Sequence, residues 1–247
     1  VALFGNILGN PGEGVARLGA RFIDLMVGGN GADTLNGGWG NDVLSGRDGD
    51  DLLVGGRGDD WLLGGWGDNT LNGGVGDDTL VAANGDDWLI GGAGNDWLGH
   101  ENLFACGQGP TGGGLDRLNG GDGADTLMAS EGGVALMQLG RDDDTDVVLF
   151  ASLGNYAPDS PDGIANFDPA RDRIQVGSLP LGLDLVIGPN PIAPGDRWAV
   201  LYDTATGRLY LDAPDNLAGW YPPINTQPVH IATFWDKPEL TAANFIL

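Results

Sequence analysis

The chain has 247 residues and carries 35 acidic against 11 basic side chains, for a formal net charge of −24 at pH 7. A surface this negative repels nucleic acid and anionic membranes, so neither is expected as a partner, and it attracts cations. The single cysteine, Cys106, excludes an internal disulfide and a cysteine-based zinc site. No apolar run approaches the roughly 18 residues that a transmembrane segment needs.

Residues 1–27 are predicted to form an N-terminal segment or cap. Its last nine residues, GARFIDLMV (19–27), hold Asp24 and Met26 at the spacing of an acidic and an apolar position that recurs in most later units. They are interpreted as a degenerate first repeat.

Eight uninterrupted nine-residue units fill residues 28–99, beginning with GGNGADTLN and GGWGNDVLS. Position 8 is leucine in every unit, from Leu35 to Leu98. Position 4 is glycine in every unit: Gly31, Gly40, Gly49, Gly58, Gly67, Gly76, Gly85 and Gly94. Position 6 is aspartate in seven units and asparagine in one: Asp33, Asp42, Asp51, Asp60, Asn69, Asp78, Asp87 and Asp96.

An insertion at 100–110 interrupts the series, which resumes over 111–128 with Asp116 and Asp125 at position 6. The next nine residues keep Gly132 and Leu136 in phase but place Val134 where the acidic residue belongs. The repeat region is therefore predicted to span residues 28–137, with the insertion inside it.

These units match the pattern GGxGxDxUx and resemble the RTX, or hemolysin-type calcium-binding, family. The residues themselves lead to a matching expectation. GGxGxD is expected to form a turn whose glycines let backbone carbonyls face a cation, and xUx a short strand with its leucine inward. Two units then make one coil of a parallel β-roll, so units 18 residues apart stack on each other.

Stacking places the position-6 side chains in two columns. One edge is predicted to carry Asp33, Asp51, Asn69, Asp87 and Asp116, and the other Asp42, Asp60, Asp78, Asp96 and Asp125. Carboxylates on strands about 4.8 Å apart repel one another strongly without a counter-ion, and hard oxygen donors select Ca²⁺. About six to eight calcium ions are expected, with weaker sites beside the neutral Asn69 and an unfolded roll without metal. Arg47, Ala82 and Ala83 replace turn glycines, which leaves the geometry of those turns open.

Tryptophans at position 7 are predicted to point away from the roll, on outward rows that are too apolar for a free surface. Three explanations stay open: another part of the chain covers them, copies of the chain or other proteins dock there, or the rings stack on carbohydrate. The position-7 tryptophans are Trp61, Trp88 and Trp97.

Residues 138–247 contain less glycine and are predicted to form an antiparallel β cap. Strands are expected at 146–153, 172–176, 197–203 and 207–212, the last two joined by a hairpin turn. RDDDTD (141–146) favours a solvated turn over a further calcium site. The C-terminal phrases, ending in NFIL, resemble RTX C-terminal regions, and the resemblance implies recognition by type I secretion machinery.

No catalytic motif is found: HENLF (100–104) lacks the second histidine of HExxH, and no GxSxG occurs. His230 is interpreted as a packed side chain. The sequence therefore predicts an all-β, secreted, calcium-binding protein that is not an enzyme and has a structural, cell-surface or self-assembling role. Two alternatives remain: the C-terminal calcium-binding and secretion module of a larger secreted enzyme, and a glycan-binding adhesin.

Overall fold

A computed structural model describes residues 5–8, 16–19, 21–100, 114–128, 134–150, 161–176, 184–189, 191, 199–212 and 229–246. Cys106, Gly132 and the predicted insertion after His100 lie outside these residues. Within them the chain forms strands and one short 3₁₀ helix, Ala242–Asn244, and no helix that could span a membrane.

Seventeen strands precede the C-terminal part. They are β1 (Gly5–Leu8), β2 (Ala16–Leu18), β3 (Asp24–Val27), β4 (Thr34–Trp39), β5 (Val43–Asp48), β6 (Leu52–Arg57), β7 (Trp61–Trp66), β8 (Thr70–Val75), β9 (Thr79–Ala82), β10 (Trp88–Ala93), β11 (Trp97–His100), β12 (Leu115–Asp122), β13 (Thr126–Met128), β14 (Val134–Gln138), β15 (Val147–Phe150), β16 (Asp162–Ala165) and β17 (Arg173–Val176). Five follow: β18 (Asp184–Gly188), β19 (Ala199–Asp203), β20 (Arg208–Asp212), β21 (Val229–Phe234) and β22 (Phe245–Ile246).

Successive strands alternate between two parallel sheets. The odd-numbered strands from β1 to β17 form one sheet, and the even-numbered strands from β2 to β16 lie in the other. Leu35 pairs with Leu53, and Leu44 pairs with Leu62, so equivalent positions two units apart stack. The predicted parallel β-roll with two units per coil is confirmed. The stacking continues across the insertion, where Leu89 pairs with Leu118.

The strands are longer than the three residues that the sequence predicts. In β7, for example, the strand runs from position 7 of one unit to position 3 of the next, and only positions 4 to 6 turn. The prediction was wrong because the paired glycines at positions 1 and 2 stay in the parallel ladder, as Gly38 does with Gly56. The position-1 glycine faces inward, so the turn begins at position 4.

A column of position-8 leucines fills the interior between the two sheets. The alternation of a strand sends positions 8 and 1 inward and positions 7 and 9 outward. Each such leucine stabilises the fold by roughly 1.5–3 kcal/mol through burial of its side chain. The fully buried leucines of the eight units are Leu35, Leu44, Leu53, Leu62, Leu71, Leu80, Leu89 and Leu98.

The parallel coiling extends beyond residues 28–137 at both ends. Met26 pairs with Leu44, which bears out the degenerate first unit. β15 and β17, predicted as parts of the cap, continue the roll, because Val148 and Ile174 stack in the position-8 column. The phase assigned to Val134 was wrong by one residue: Ala135 pairs with Asp116, and Met137 fills the buried position where Leu136 was expected.

The antiparallel part is confined to β19, β20 and β21. β19 and β20 are joined by the predicted turn, in which Gly207 adopts φ +75°. β21 pairs in parallel with β16, so this part extends one sheet of the roll. Its core is aromatic: Phe234 meets Phe167 and Tyr202 edge to face at 5.1 and 5.7 Å between ring centroids.

Candidate metal sites on the two edges of the roll

The position-6 side chains form two buried columns, one on each edge of the roll, as predicted. We call them the first rim and the second rim. The first rim contains Asp33, Asp51, Asn69, Asp87, Asp116 and Asp162, and the second rim Asp24, Asp42, Asp60, Asp78, Asp96, Asp125, Asp146 and Asp172. All of these side chains are at most 5% exposed.

One oxygen of most rim carboxylates ties neighbouring coils together. The backbone N–H of Asp42 donates to Asp60 Oδ1 at 2.7 Å, and that of Asp60 donates to Asp78 Oδ1 at 2.8 Å. The same bond recurs along the second rim from Asp24 to Asp172. It also runs along the first rim from Asp33 to Asp116. Oδ1 therefore accepts a hydrogen bond from the backbone of the preceding coil.

The other oxygen has a different environment. Buried polar atoms in native proteins almost always have partners, and an unpaired buried charge is costly. A charged oxygen in this position needs a cation. Within the described residues, six rim carboxylates have a buried Oδ2 without a hydrogen-bond partner: Asp42, Asp51, Asp60, Asp78, Asp96 and Asp125.

Backbone oxygens converge on the same places because position 1 is glycine. A Cβ added to Gly55 would lie 2.3 Å from Asp60 Oδ2 and 2.7 Å from the carbonyl oxygen of Gly73 in the next coil. The same glycine therefore lies beside a carboxylate oxygen of its own coil and a carbonyl oxygen of the next. Oxygen ligands of both kinds in a flexible turn suit Ca²⁺.

The position-4 glycines, which the sequence predicts as part of the metal sites, provide the backbone conformation that the turn needs. Gly58 adopts φ +120°, and a Cβ there would lie 2.1 Å from the carbonyl oxygen of Gly40 in the preceding coil. Positive φ is shared by all of these glycines except Gly31. Among the residues that the structure describes, no three Asp, Glu, His or Cys side chains cluster as a metal site. The backbone must therefore supply much of any ligand set.

Burial shifts the titration of the rims. It raises the pKa of Asp60, Asp78 and Asp125 to about 7, mainly through loss of hydration. Neighbouring rim carboxylates raise these pKa values further, and the N–H bonds from adjacent coils oppose the rise. Burial also raises the pKa to about 6 for Asp51, Asp96, Asp116 and Asp146.

Calcium and protons are therefore expected to compete for the rims. Because the folded-state pKa values lie above the unfolded value of about 3.9, the metal-free roll should be most stable below about pH 4 and lose that stability as pH rises to about 7. Calcium needs the ionised form, so its stabilising effect should grow over the same window. The measurement is the difference in β-sheet circular dichroism between calcium-saturated and calcium-depleted chains across that range. A difference that is constant or shrinks with rising pH would contradict the expectation.

Sequence reasoning did not assign Asp146, Asp162 and Asp172 to the rims. Each precedes a buried apolar residue by two positions, as in Asp146 and Val148, and that spacing was the available signal. The predicted turn at 141–146 is present, since Asp142 Oδ1 accepts the Asp144 N–H at 2.9 Å. Its last residue, Asp146, nevertheless belongs to the second rim.

Two other predicted features can be placed. His230 is packed, as predicted: its ring lies 5.1 Å from that of Tyr210, and Nε2 lies 2.9 Å from the Ala232 carbonyl oxygen. Burial lowers the pKa of His230. Position 7 does point outward, with Trp61 49% and Trp88 51% exposed, whereas Trp97 is half-buried.

Comparison with protein-family models finds four matches to the RTX calcium-binding nonapeptide repeat (4 copies), at residues 18–53, 45–80, 73–99 and 111–133. The chain carries RTX calcium-binding repeats over residues 18–99 and 111–133. RTX repeats bind calcium, in keeping with the oxygen-lined rims of these residues. The matched segments include every predicted rim residue of the nonapeptide units, from Asp33 to Asp125.

One similar solved structure is the solution structure of the AlgE6R3 subunit from the Azotobacter vinelandii mannuronan C5-epimerase. It is 20% identical, covers 98% of this chain and 80% of its own, and has a TM-score of 0.23. A search of curated proteins gave no significant match to this chain.

Proposed function

We propose that this chain, with its RTX repeats, is a secreted structural protein whose roll folds when calcium binds along both rims. The proposal rests on six buried Oδ2 atoms that have no hydrogen-bond partner within the described residues. Each lies in an oxygen-rich turn, so a divalent cation would neutralise both the carboxylate and the repulsion between coils. We propose about six to eight ions per chain.

Calcium binding then supplies much of the free energy of folding. A ligand that binds only the folded state stabilises it by about 1.4 kcal/mol at ten times its dissociation constant. Several such ions together approach the roughly 5–15 kcal/mol that stabilises a typical domain. The chain would stay unfolded where calcium is scarce and fold where calcium is abundant, which suits export of an unfolded chain by type I secretion machinery.

Self-association is the structural role that the outer faces support. Trp61 and Trp88 lie on different sheets, so each face of the roll carries an exposed aromatic side chain. In its row Trp61 lies between Val43 and Thr79, and Trp88 lies between Thr70 and Arg117. Exposed aromatic side chains on opposite faces of one body permit repeated, open-ended stacking of copies.

Light scattering of the purified chain tests this role. We expect the apparent mass to rise when calcium is added to the wild type, and to stay near that of a monomer in a Trp61→Thr/Trp88→Thr double variant. Threonine is chosen because it already occupies an adjacent position in each row. Trp235→Thr is the control, since Trp235 is 56% exposed but lies outside the nonapeptide rows. A monomeric wild type in saturating calcium would contradict self-association.

A further inference from the structure

Asn69 is the one neutral member of the predicted first rim, and its amide orientation is fixed by its partners. Oδ1 accepts the backbone N–H of Asp51 at 3.0 Å, as the rim carboxylates do with their own neighbours. Nδ2 consequently takes the place that Oδ2 takes in the other turns. A Cβ added to Gly64 would lie 3.0 Å from that Nδ2.

The amide nitrogen of Asn69 donates hydrogen bonds, which an ionised rim carboxylate cannot do. Nδ2 donates to the carbonyl oxygen of Gly67 at 2.9 Å and to that of Gly65 at 3.3 Å. These carbonyls belong to positions 4 and 2 of the same unit, so backbone oxygens converge where Nδ2 stands. In the equivalent turn of Asp78, an Oδ2 without a hydrogen-bond partner in the described residues occupies this position.

The coil that follows Asn69 also differs from most other coils at position 1. Beside Gly28, Gly37, Gly46, Gly55 and Gly91, the position-1 carbonyl oxygen of the following coil lies 2.5–2.8 Å from an added Cβ. At Gly64 the three nearest atoms, out to 3.3 Å, all belong to Asn69; at Gly73 and Gly120 the three nearest atoms, out to 2.8 and 3.0 Å, likewise belong to the aspartate of the same unit. The following coil has Ala82 and Ala83 in place of the glycine pair. The oxygen from the next coil therefore lies no nearer than 3.3 Å to a Cβ added at Gly64, which is farther than at the five glycines named above.

We propose that the Asn69 side chain replaces one calcium ion of the first rim. This rests on the proposed function, because it assumes that the other rim turns bind calcium. The two N–H donors satisfy the carbonyls that an ion would otherwise bind, and the neutral amide separates Asp51 from Asp87 without a counter-ion. The coil of Asn69 thus divides the calcium ions of the first rim into two rows. Its hydrogen bonds hold it to the neighbouring coils when calcium is removed.

Counting bound calcium tests the proposal. Each chain is dialysed to equilibrium in saturating calcium, and bound metal per chain is measured by mass spectrometry of the element. Asn69→Asp is expected to bind one ion more than the wild type, because it restores the acidic oxygen. Asn69→Ala is expected to bind the same number, and the matched second-rim variant Asp78→Asn to bind one fewer.

Each other outcome overturns the inference. An unchanged count in Asn69→Asp would mean that the turn cannot hold an ion, or already holds one. A lower count in Asn69→Ala would mean that Asn69 is itself a calcium ligand. Failure of Asn69→Asp to fold in calcium would also contradict the proposal, because the added ion should neutralise the added carboxylate. Absence of bound calcium from the wild type would overturn the proposed function as well.

Discussion

Removal of calcium is expected to unfold the roll from the strand at Asp24 to the strand at Val176, with loss of most of its β-sheet circular dichroism. Without metal, buried carboxylates stack along both edges with nothing to neutralise their Oδ2 atoms. Ten or more rim carboxylates repel in register, and about 1.4 kcal/mol of linkage per ion is lost. Each coil contributes only two core leucines, so its burial of apolar surface is small relative to the length of backbone that it must order.

The measurement is circular dichroism in chelator, followed by readdition of the metal. Calcium should restore the signal cooperatively. Magnesium at the same concentration is the control and should restore less, because it demands octahedral geometry and sheds its water reluctantly. A complete strand signal in chelator at neutral pH would contradict the expectation.

Gly55→Ala is expected to destabilise the calcium-loaded chain by about 1–3 kcal/mol and to raise the calcium concentration needed for folding. The added methyl group would lie 2.3 Å from Asp60 Oδ2 and 2.7 Å from the Gly73 carbonyl oxygen. Both oxygens are candidate ligands, so the methyl group displaces them from the place where they converge. The φ of Gly55 is outside the positive range, so the effect isolates this steric conflict from backbone strain.

Gly188→Ala is the matched control, because an added Cβ at Gly188 would meet no atom within 4 Å. Denaturant unfolding in saturating calcium, together with calcium titration of each variant, provides the comparison. Equal unfolding free energies and equal calcium midpoints for the two variants would show that position 1 does not shape the metal site.

The sequence predicted the roll, its core column and most of both rims because these depend on a strict local period. An acidic residue two positions before a buried leucine recurs every nine residues, and two such units close one coil. The prediction failed where that signal weakens. Asp146 and Asp172 lack the preceding glycines, and their place in the second rim depends on which strands pair.

Two further differences between the sequence prediction and the structure depend on pairing between coils, which the sequence of a single unit does not show. Leu136 and Met137 are adjacent apolar residues, and only pairing with β12 decides that Met137 points inward. The six-residue strands arise because glycine, a poor strand former in isolation, is held in a ladder by identical glycines in the neighbouring coils. Cooperation between coils thus lengthens the strands beyond what one unit predicts.

Anomalous X-ray scattering from a crystal of the calcium-loaded chain tests the central claim most directly, because it locates calcium without reference to the protein coordinates. Peaks are expected beside Oδ2 of Asp60 and Asp78 and at equivalent places along both rims, and none beside Nδ2 of Asn69. Rims without anomalous peaks in a folded roll would contradict the claim that calcium ions hold its coils together.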